Sequence, residues 1–243
     1  MADPDPADVA ALVAAHERVL ERIARAAQRV GRDPAEVTLV AVSKTVPAAR
    51  LRAAVEAGIV VFGENRVQDG EAKAAEVSGA SWHLIGPLQS NKVRRAFATF
   101  GVVETVGSVE LATRLDALVG AERPGSAYPV LLQVNVDRDR AKAGFLPDEI
   151  EAALERMDSL PGLDLRGLMT VGRLVDDPAA ARTTFVGLRA LSERLRASWQ
   201  HLGPHLSMGM SDDFEVAVEE GATIVRVGRA IFGERPAAGL RVD

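Results

Sequence analysis

The sequence predicts an α/β protein folded as a single (β/α)8 TIM-type barrel behind a leading N-terminal helix. Three observations carry that prediction. Eight short apolar runs alternate with helix-like stretches, and no long linker separates them. The length, 243 residues, suits one such barrel, which takes about 250 residues. No Gly-x-Gly-x-x-Gly fingerprint follows a strand, which weakens an open dinucleotide-binding sheet. The chain is therefore read as one domain over 1–243, with residues 7–31 as the leading helix and 37–233 as the barrel.

The elements follow in order. Asp5-Pro6 offers a cap and a first-turn proline, and Val9, Leu12, Val13, Val19, Ile23 and Val30 recur mostly three and four apart. Glu17, Arg18, Glu21, Arg22 and Arg25 fill the gaps, so one long amphipathic helix runs to Gly31. Such a helix can plug one end of a barrel or pack on its wall. The strands are expected at Val37–Val42, Ile59–Phe62, Trp82–Ile85, Val102–Val106, Val130–Val136, Leu163–Val171, Leu206–Met208 and Thr223–Val227. Helices are expected at Ala48–Ala57, Val67–Val77, Asn91–Phe100, Val109–Val119, Asp148–Met157, Ala179–Gln200 and Asp213–Glu219. Glycines at 58, 79, 101, 120 and 221 and Pro161-Gly162 stop helices, whereas Pro147 and Pro178 start them.

Composition narrows the function. Hydrophobic residues make up 47% and charged residues 26%, as in a soluble globular protein with a large core. A net charge of -5 argues against a general nucleic-acid surface. With no cysteine, thiolate catalysis, disulfides and cysteine-based metal sites are excluded. The four histidines show no paired metal-ligand spacing. No apolar run approaches membrane-spanning length and the acidic start lacks a signal-peptide charge pattern, so a cytoplasmic protein with no membrane partner is expected.

A barrel carries its functional residues just after the strands, at one face. The first strand is stopped by Ser43-Lys44, with Thr45 and Pro47 offering a cap and a first-turn proline. Lys44 there is either a ligand group or an ordinary surface lysine. Later strand ends read Gly63-Glu64-Asn65, Gly86 with Gln89-Ser90-Asn91-Lys92, Asn135, Met169-Thr170, Ser207 to Ser211, and Arg226 with Gly228-Arg229. Several have plainer uses. Asn65 and Ser90 suit helix N-caps, Gly63 and Gly86 suit tight turns, and His83 suits a hydrogen-bonded core position. Ser211 or Asp212 suits a cap, with Glu215 completing a capping box behind Asp212.

Two segments point further. Ser207-Met-Gly-Met-Ser211 ends at a helix N-terminus, where free N–H groups favour an anion. Arg226-Val-Gly-Arg229 repeats the arrangement one unit on, at the two strands that commonly form a barrel's phosphate site. A phosphate there would neighbour Lys44 around the mouth. The combination suggests a phosphorylated carbonyl held as a Schiff base. Lysine attacks a carbonyl only as the neutral amine, which burial and a nearby Arg226 would favour.

Val42-Ser-Lys-Thr45, Phe62-Gly-Glu-Asn65, His83 to Lys92, Ser207 to Asp213 and Val225 to Gly233, in that order, resemble the pyridoxal phosphate homeostasis protein family. The likeness spans about Val37 to Gly233. It implies a single barrel similar to the N-terminal domain of bacterial alanine racemases, without that enzyme's second domain. It implies that Lys44 holds pyridoxal 5′-phosphate as a Schiff base and that Arg226 faces the pyridine nitrogen, keeping it unprotonated and tempering carbanion chemistry. Ser211, Gly228 and Arg229 match the phosphate positions, and Asn65, His83, Met169, Ser207 and Met210 match pocket residues. Lys142 matches a second lysine near the mouth and is otherwise a solvated loop residue. Val46 stands where many members have lysine, Arg66 where tyrosine is frequent, and Arg229 where threonine is common, which bears on ligand exchange.

Two classes of function follow from the likeness. One is a non-catalytic carrier of pyridoxal phosphate in vitamin B6 homeostasis, monomeric, handing the cofactor to apo forms of pyridoxal-phosphate enzymes. The other is a pyridoxal-phosphate-dependent amino-acid racemase or decarboxylase of low activity. The related racemase draws a catalytic tyrosine from its second domain, whereas the one tyrosine here, Tyr128, precedes a strand and belongs at the opposite face. A cofactor-free Schiff-base aldolase using Lys44 is a third, weaker reading.

Overall fold

In the computed structural model, residues 4–172 and 177–233 are described; the parts of the chain-long assignment at 1–3, 173–176 and 234–243 lie outside them. Eight parallel strands close into a barrel in sequence order. They are β1 (Thr38–Val42), β2 (Val61–Glu64), β3 (Ser81–Leu84), β4 (Val102–Val106), β5 (Tyr128–Gln133), β6 (Leu163–Met169), β7 (His205–Ser207) and β8 (Ile224–Val227). Closure is made by β1 against β8, with Thr38 opposite Ile224 and Val40 opposite Arg226. The barrel class expected from the alternation is the one observed.

The helices are α1 (Pro6–Arg29), α2 (Ala48–Glu56), α3 (Val67–Glu76), α4 (Val93–Thr99), α5 (Val109–Glu122), α6 (Ile150–Met157), α7 (Arg182–Ser198), α8 (Phe214–Glu219) and α9 (Arg229–Phe232). Asp5 caps α1 by accepting from the Ala7 N–H at 2.9 Å, and Gly31 (φ 70°) ends the helix in the left-handed region. Its buried stripe of Leu12, Ala15, Val19, Ile23, Ala26 and Ala27 packs on α2, α8 and α9, so the leading helix lies on the barrel wall. Burying Leu12, Val19 and Ile23 contributes about 1.5–3 kcal/mol each. The ion pairs of Arg22 with Glu215 and Arg29 with Glu219 are partly exposed and add little beside that.

Strand alternation separates two apolar layers. Leu39, Ala41, Leu132, Leu168 and Val225 belong to the large core between strands and helices. Their alternates Val40, Leu131, Met169 and Ile224 form a smaller cluster with Val61, Ile85 and Val102, which fills the barrel interior. Gly86 is required by close approach: a Cβ there would lie 2.2 Å from the Asn65 carbonyl oxygen.

Local signals fail where loops impose their own geometry. Pro47 occupies the N-cap of α2 with no side-chain bond, and Thr45 does not cap it. Thr45 instead adopts φ 67° and donates to the Lys44 carbonyl at 2.5 Å. The stretches ahead of α4 and α7 begin as 3-10 turns, Ser90–Lys92 and Pro178–Ala181. At β5 and β6 the expected runs outlast the strands, which end at Gln133 and Met169; the Val134 N–H still donates to the Met169 carbonyl at 2.8 Å, while the Asn135 N–H bonds the Phe145 carbonyl at 2.9 Å.

Candidate functional site at the barrel mouth

Lys44 leaves the end of β1 in a tight turn, where the Val46 N–H donates to the Ser43 carbonyl at 2.9 Å. Its side chain is exposed. Lys44 therefore lies two residues past the end of β1 and is exposed, so burial does not help to keep its amine neutral. The residue before it is buried and held. Ser43 donates its hydroxyl to Glu64 Oε1 at 2.9 Å, and Lys73 Nζ donates to the Ser43 carbonyl at 2.8 Å. Lys73 also pairs with the fully buried Glu64, whose other oxygen accepts from the Asn65 N–H at 3.1 Å. One carboxylate thus ties the ends of β1 and β2 to α3.

A second buried network crosses the barrel. His83 Nδ1 lies 2.7 Å from Glu104 Oε1, and the Ser207 hydroxyl donates to Glu104 Oε2 at 2.5 Å. Arg226 Nη1 donates to Ser207 Oγ at 2.6 Å and Nη2 to the Thr170 carbonyl at 2.7 Å. Four strands, β3, β4, β7 and β8, are joined by it. Burial by itself raises the Glu104 pKa, but the hydrogen bond and charge of His83, then Arg226 and Ser207, leave it below the usual value. Burial lowers Arg226, against the opposing pull of Glu104 and Asp213. Asp213 is itself raised by burial, although it accepts from the Met210 N–H at 2.6 Å.

The third feature is a polar corner at the end of β8. The Gly228 N–H donates to Ser211 Oγ at 3.2 Å, which leaves the Ser211 proton to donate outward. A Cβ on Gly228 would come within 3.3 Å of the Val42 Cβ, so this corner adjoins the strand that carries Lys44. Arg229 is exposed beside it and pairs with Asp212. An outward hydroxyl, oriented by the Gly228 N–H, and an exposed arginine suit a phosphate. An exposed amine two residues beyond Val42 suits an aldehyde, and the Arg226 guanidinium suits an aromatic nitrogen. The donor set fits pyridoxal phosphate.

The remaining predicted residues divide. Met169 is fully buried in the interior cluster, while Asn65 and Met210 are half-buried at the mouth. Asn65 and Ser90 are not side-chain caps; Arg66 and Gln89 occupy those cap positions without side-chain bonds. Glu215 completes no capping box, because it pairs with Arg22 on α1. Asn135 braces its own loop, donating to the Asp139 carbonyl at 2.8 Å. Lys142 is not freely solvated: Nζ donates to the Val171 carbonyl at 3.1 Å and lies 3.6 Å from Asp137. Val46 is buried beside the turn and Arg66 is exposed. Tyr128 opens β5 at the opposite face, where its buried hydroxyl donates to the Phe100 carbonyl at 2.7 Å.

Sequence reasoning missed Glu104 and Lys73. A glutamate midway through the apolar run Val102–Val106 was a legible signal. Lys73 on an amphipathic helix had none. Among the described residues no helix is long and apolar enough to cross a membrane, and no group of three or more acidic or histidine side chains could hold a metal.

Known proteins share this architecture. The family model described as alanine racemase, N-terminal domain, matches residues 16–236. The pyridoxal phosphate homeostasis protein of Pseudomonas aeruginosa is 45% identical over 222 residues, covering 90% of this chain and 93% of that one. The protein of the same name from Escherichia coli K12 is 40% identical over 227 residues, covering 90% and 94%. PipY of Synechococcus elongatus, solved with PLP bound, superposes with a TM-score of 0.78 at 40% identity, covering 88% of this chain and all of that one, 100%. Alanine racemase from Corynebacterium glutamicum is 18% identical with a TM-score of 0.67 and covers 96% of this chain but 63% of the enzyme, so it shares the fold alone. With the barrel, the ordered motifs and relatives matched along nearly their whole length, this chain belongs to the pyridoxal phosphate homeostasis protein family.

Proposed function

We propose that this chain binds pyridoxal 5′-phosphate at the barrel mouth as a Schiff base to Lys44, and that it stores and delivers the cofactor rather than turning over substrates. The observation that carries the reading is the adjacency of the Lys44 strand end to the Ser211–Gly228 corner, with Arg226 buried below. The bound cofactor supplies an aldehyde that condenses with a primary amine. The protein supplies the rest. Ser211, Gly228 and Arg229 bind the phosphate, Arg226 donates to the ring nitrogen, and Asn65, His83, Met169, Ser207 and Met210 shape the pocket.

The carrier reading rests on what faces the mouth. An arginine at the ring nitrogen donates a hydrogen bond and cannot also leave that nitrogen protonated, which weakens the ring as an electron sink. Tyr128, buried at the far face, cannot act as a second base. The named relatives are homeostasis proteins, which supports the same reading. A monomer working in the cytoplasm completes the proposal, with apo pyridoxal-phosphate enzymes as recipients.

The test is direct. Borohydride reduction of holoprotein should fix a pyridoxyl group on Lys44, and Lys44→Ala should abolish that adduct while retaining weak binding through the phosphate. Protein that takes up no cofactor, or an adduct on another lysine, would refute the site. Transfer to an apo-enzyme supports delivery. Turnover of any amino acid at about 1 per second or faster would favour the racemase or decarboxylase alternative.

A further inference from the structure

We propose that Glu104 is a positioning residue for the mouth: through the Ser207 hydroxyl it aims the Arg226 guanidinium and supplies the negative charge that balances it inside the barrel. This rests on the pyridoxal phosphate reading above. Glu104 is fully buried at the middle of β4, a position an apolar residue would fill at lower cost. Neither of its oxygens is idle: one faces His83 Nδ1 at 2.7 Å and the other accepts from Ser207 at 2.5 Å.

The direction of the Ser207 hydroxyl is the key. A hydroxyl has one proton, and a carboxylate can only accept. Ser207 must therefore give its proton to Glu104, which turns a lone pair toward Arg226 Nη1 at 2.6 Å. The second arm of the guanidinium is fixed by the Thr170 carbonyl. Arg226 is thereby held in one plane by strands β7 and β6, with its charge matched across β4. The titratable groups around it are Glu104 on β4, with His83 on β3 behind it, and Asp213 ahead of α8. Asp213 is engaged with the Met210 N–H and does not hydrogen-bond Arg226 through Ser207.

Two substitutions separate this from simple packing. In Glu104→Gln the side chain offers one acceptor where two are needed, and the buried negative charge is gone. In Ser207→Ala the charge remains and the relay is cut. The reading is the pH midpoint of the visible absorption band of the holoprotein, which reports protonation of the nitrogen joined to Lys44. Removing a negative charge disfavours that protonation. Glu104→Gln should lower the midpoint by about one pH unit, the order expected on removing one buried unit charge at an effective dielectric constant of about 20. Ser207→Ala should lower cofactor affinity about tenfold by freeing Arg226, the loss of one charge-assisted hydrogen bond. Tyr128→Phe at the far face is the control for plain destabilisation and should move neither.

A wild-type midpoint in Glu104→Gln together with wild-type affinity in Ser207→Ala would overturn the proposal while leaving the cofactor site intact. If Glu104→Gln does not fold, the Ser207→Ala affinity decides. Wild-type protein that takes up no pyridoxal phosphate would instead overturn the reading beneath it, and the positioning role with it.

Discussion

Replacing Lys73 with methionine isolates what the tie beneath Lys44 contributes. Met conserves the length and apolar stem of the side chain, so packing of α3 is largely kept. What is lost is, among the described residues, the cation paired with Glu64, a carboxylate with 0% exposure. Removing one partner of a buried pair costs about 3–5 kcal/mol. Two facts reduce that. The Lys73 side chain keeps 14% exposure, and Glu64 retains its bonds from Ser43 and Asn65. We therefore expect about 2–3 kcal/mol, or roughly 4–12 °C in Tm for a chain of this size. Thermal and urea unfolding would measure it. Lys73→Met with Glu64→Gln should recover part of the loss, because no buried charge is then unpaired. Holding the Ser43 carbonyl also steadies the turn in which Thr45 sits at φ 67°, a conformation costing about 1–3 kcal/mol. Borohydride trapping at Lys44 should consequently slow several-fold in the single variant. A Lys73→Met protein within about 0.5 kcal/mol of wild type, the range of ordinary surface changes, would refute the reasoning.

Gly86→Ala should destabilise by about 1–3 kcal/mol or more, because its Cβ meets the Asn65 backbone, which cannot swing aside as a side chain would; urea midpoints check this, and cofactor affinity should fall with it as Asn65 is displaced. Stability should also fall as the medium is acidified from pH 7 toward 5.5. Burial holds His205 below the ordinary 6.5, helped by Arg166, and burial likewise lowers His16. A folded-state pKa below the unfolded one means that the unfolded chain binds more protons in this window, so folding loses free energy as pH drops through 6.5. Urea midpoints across the window should decline, less so in His205→Gln. A midpoint that rises on acidification would contradict the assignment.

The fold was legible because a barrel repeats its signal. Eight apolar runs of strand length, six of them closed by glycine, leave few other topologies, and strand ends then select the mouth residues. What was not legible depends on where a side chain goes after the strand stops. The pattern around Val42 and Pro47 predicted a capped helix start, but Thr45 took a left-handed turn and Pro47 the cap itself. That turn decides whether Lys44 is buried or exposed, and nothing in residues 43–47 encodes it; the ties that set it come from Glu64 and Lys73, 20 and more positions away. Capping residues misled for a similar reason. Asp212 pairs with Arg229 instead of capping, and Glu215 found Arg22 on a helix nearly two hundred residues earlier.

That division of the mouth into fixed and exposed parts bears on the carrier reading. The floor is rigid: Arg226, Ser207, Glu104 and His83 hold one another across four strands, and Glu64 locks the ends of two more. An enzyme that removes a proton from a bound amino acid needs a base held with comparable firmness above the cofactor. Lys44 itself is exposed and precedes Thr45, which sits at φ 67°. A fixed floor under an exposed amine suits a cofactor that is gripped by its phosphate and ring and joined at an atom that incoming amines can reach. Release then requires exchange at that single atom, without disturbing the barrel. The same exposure that would handicap a catalyst is what a carrier needs.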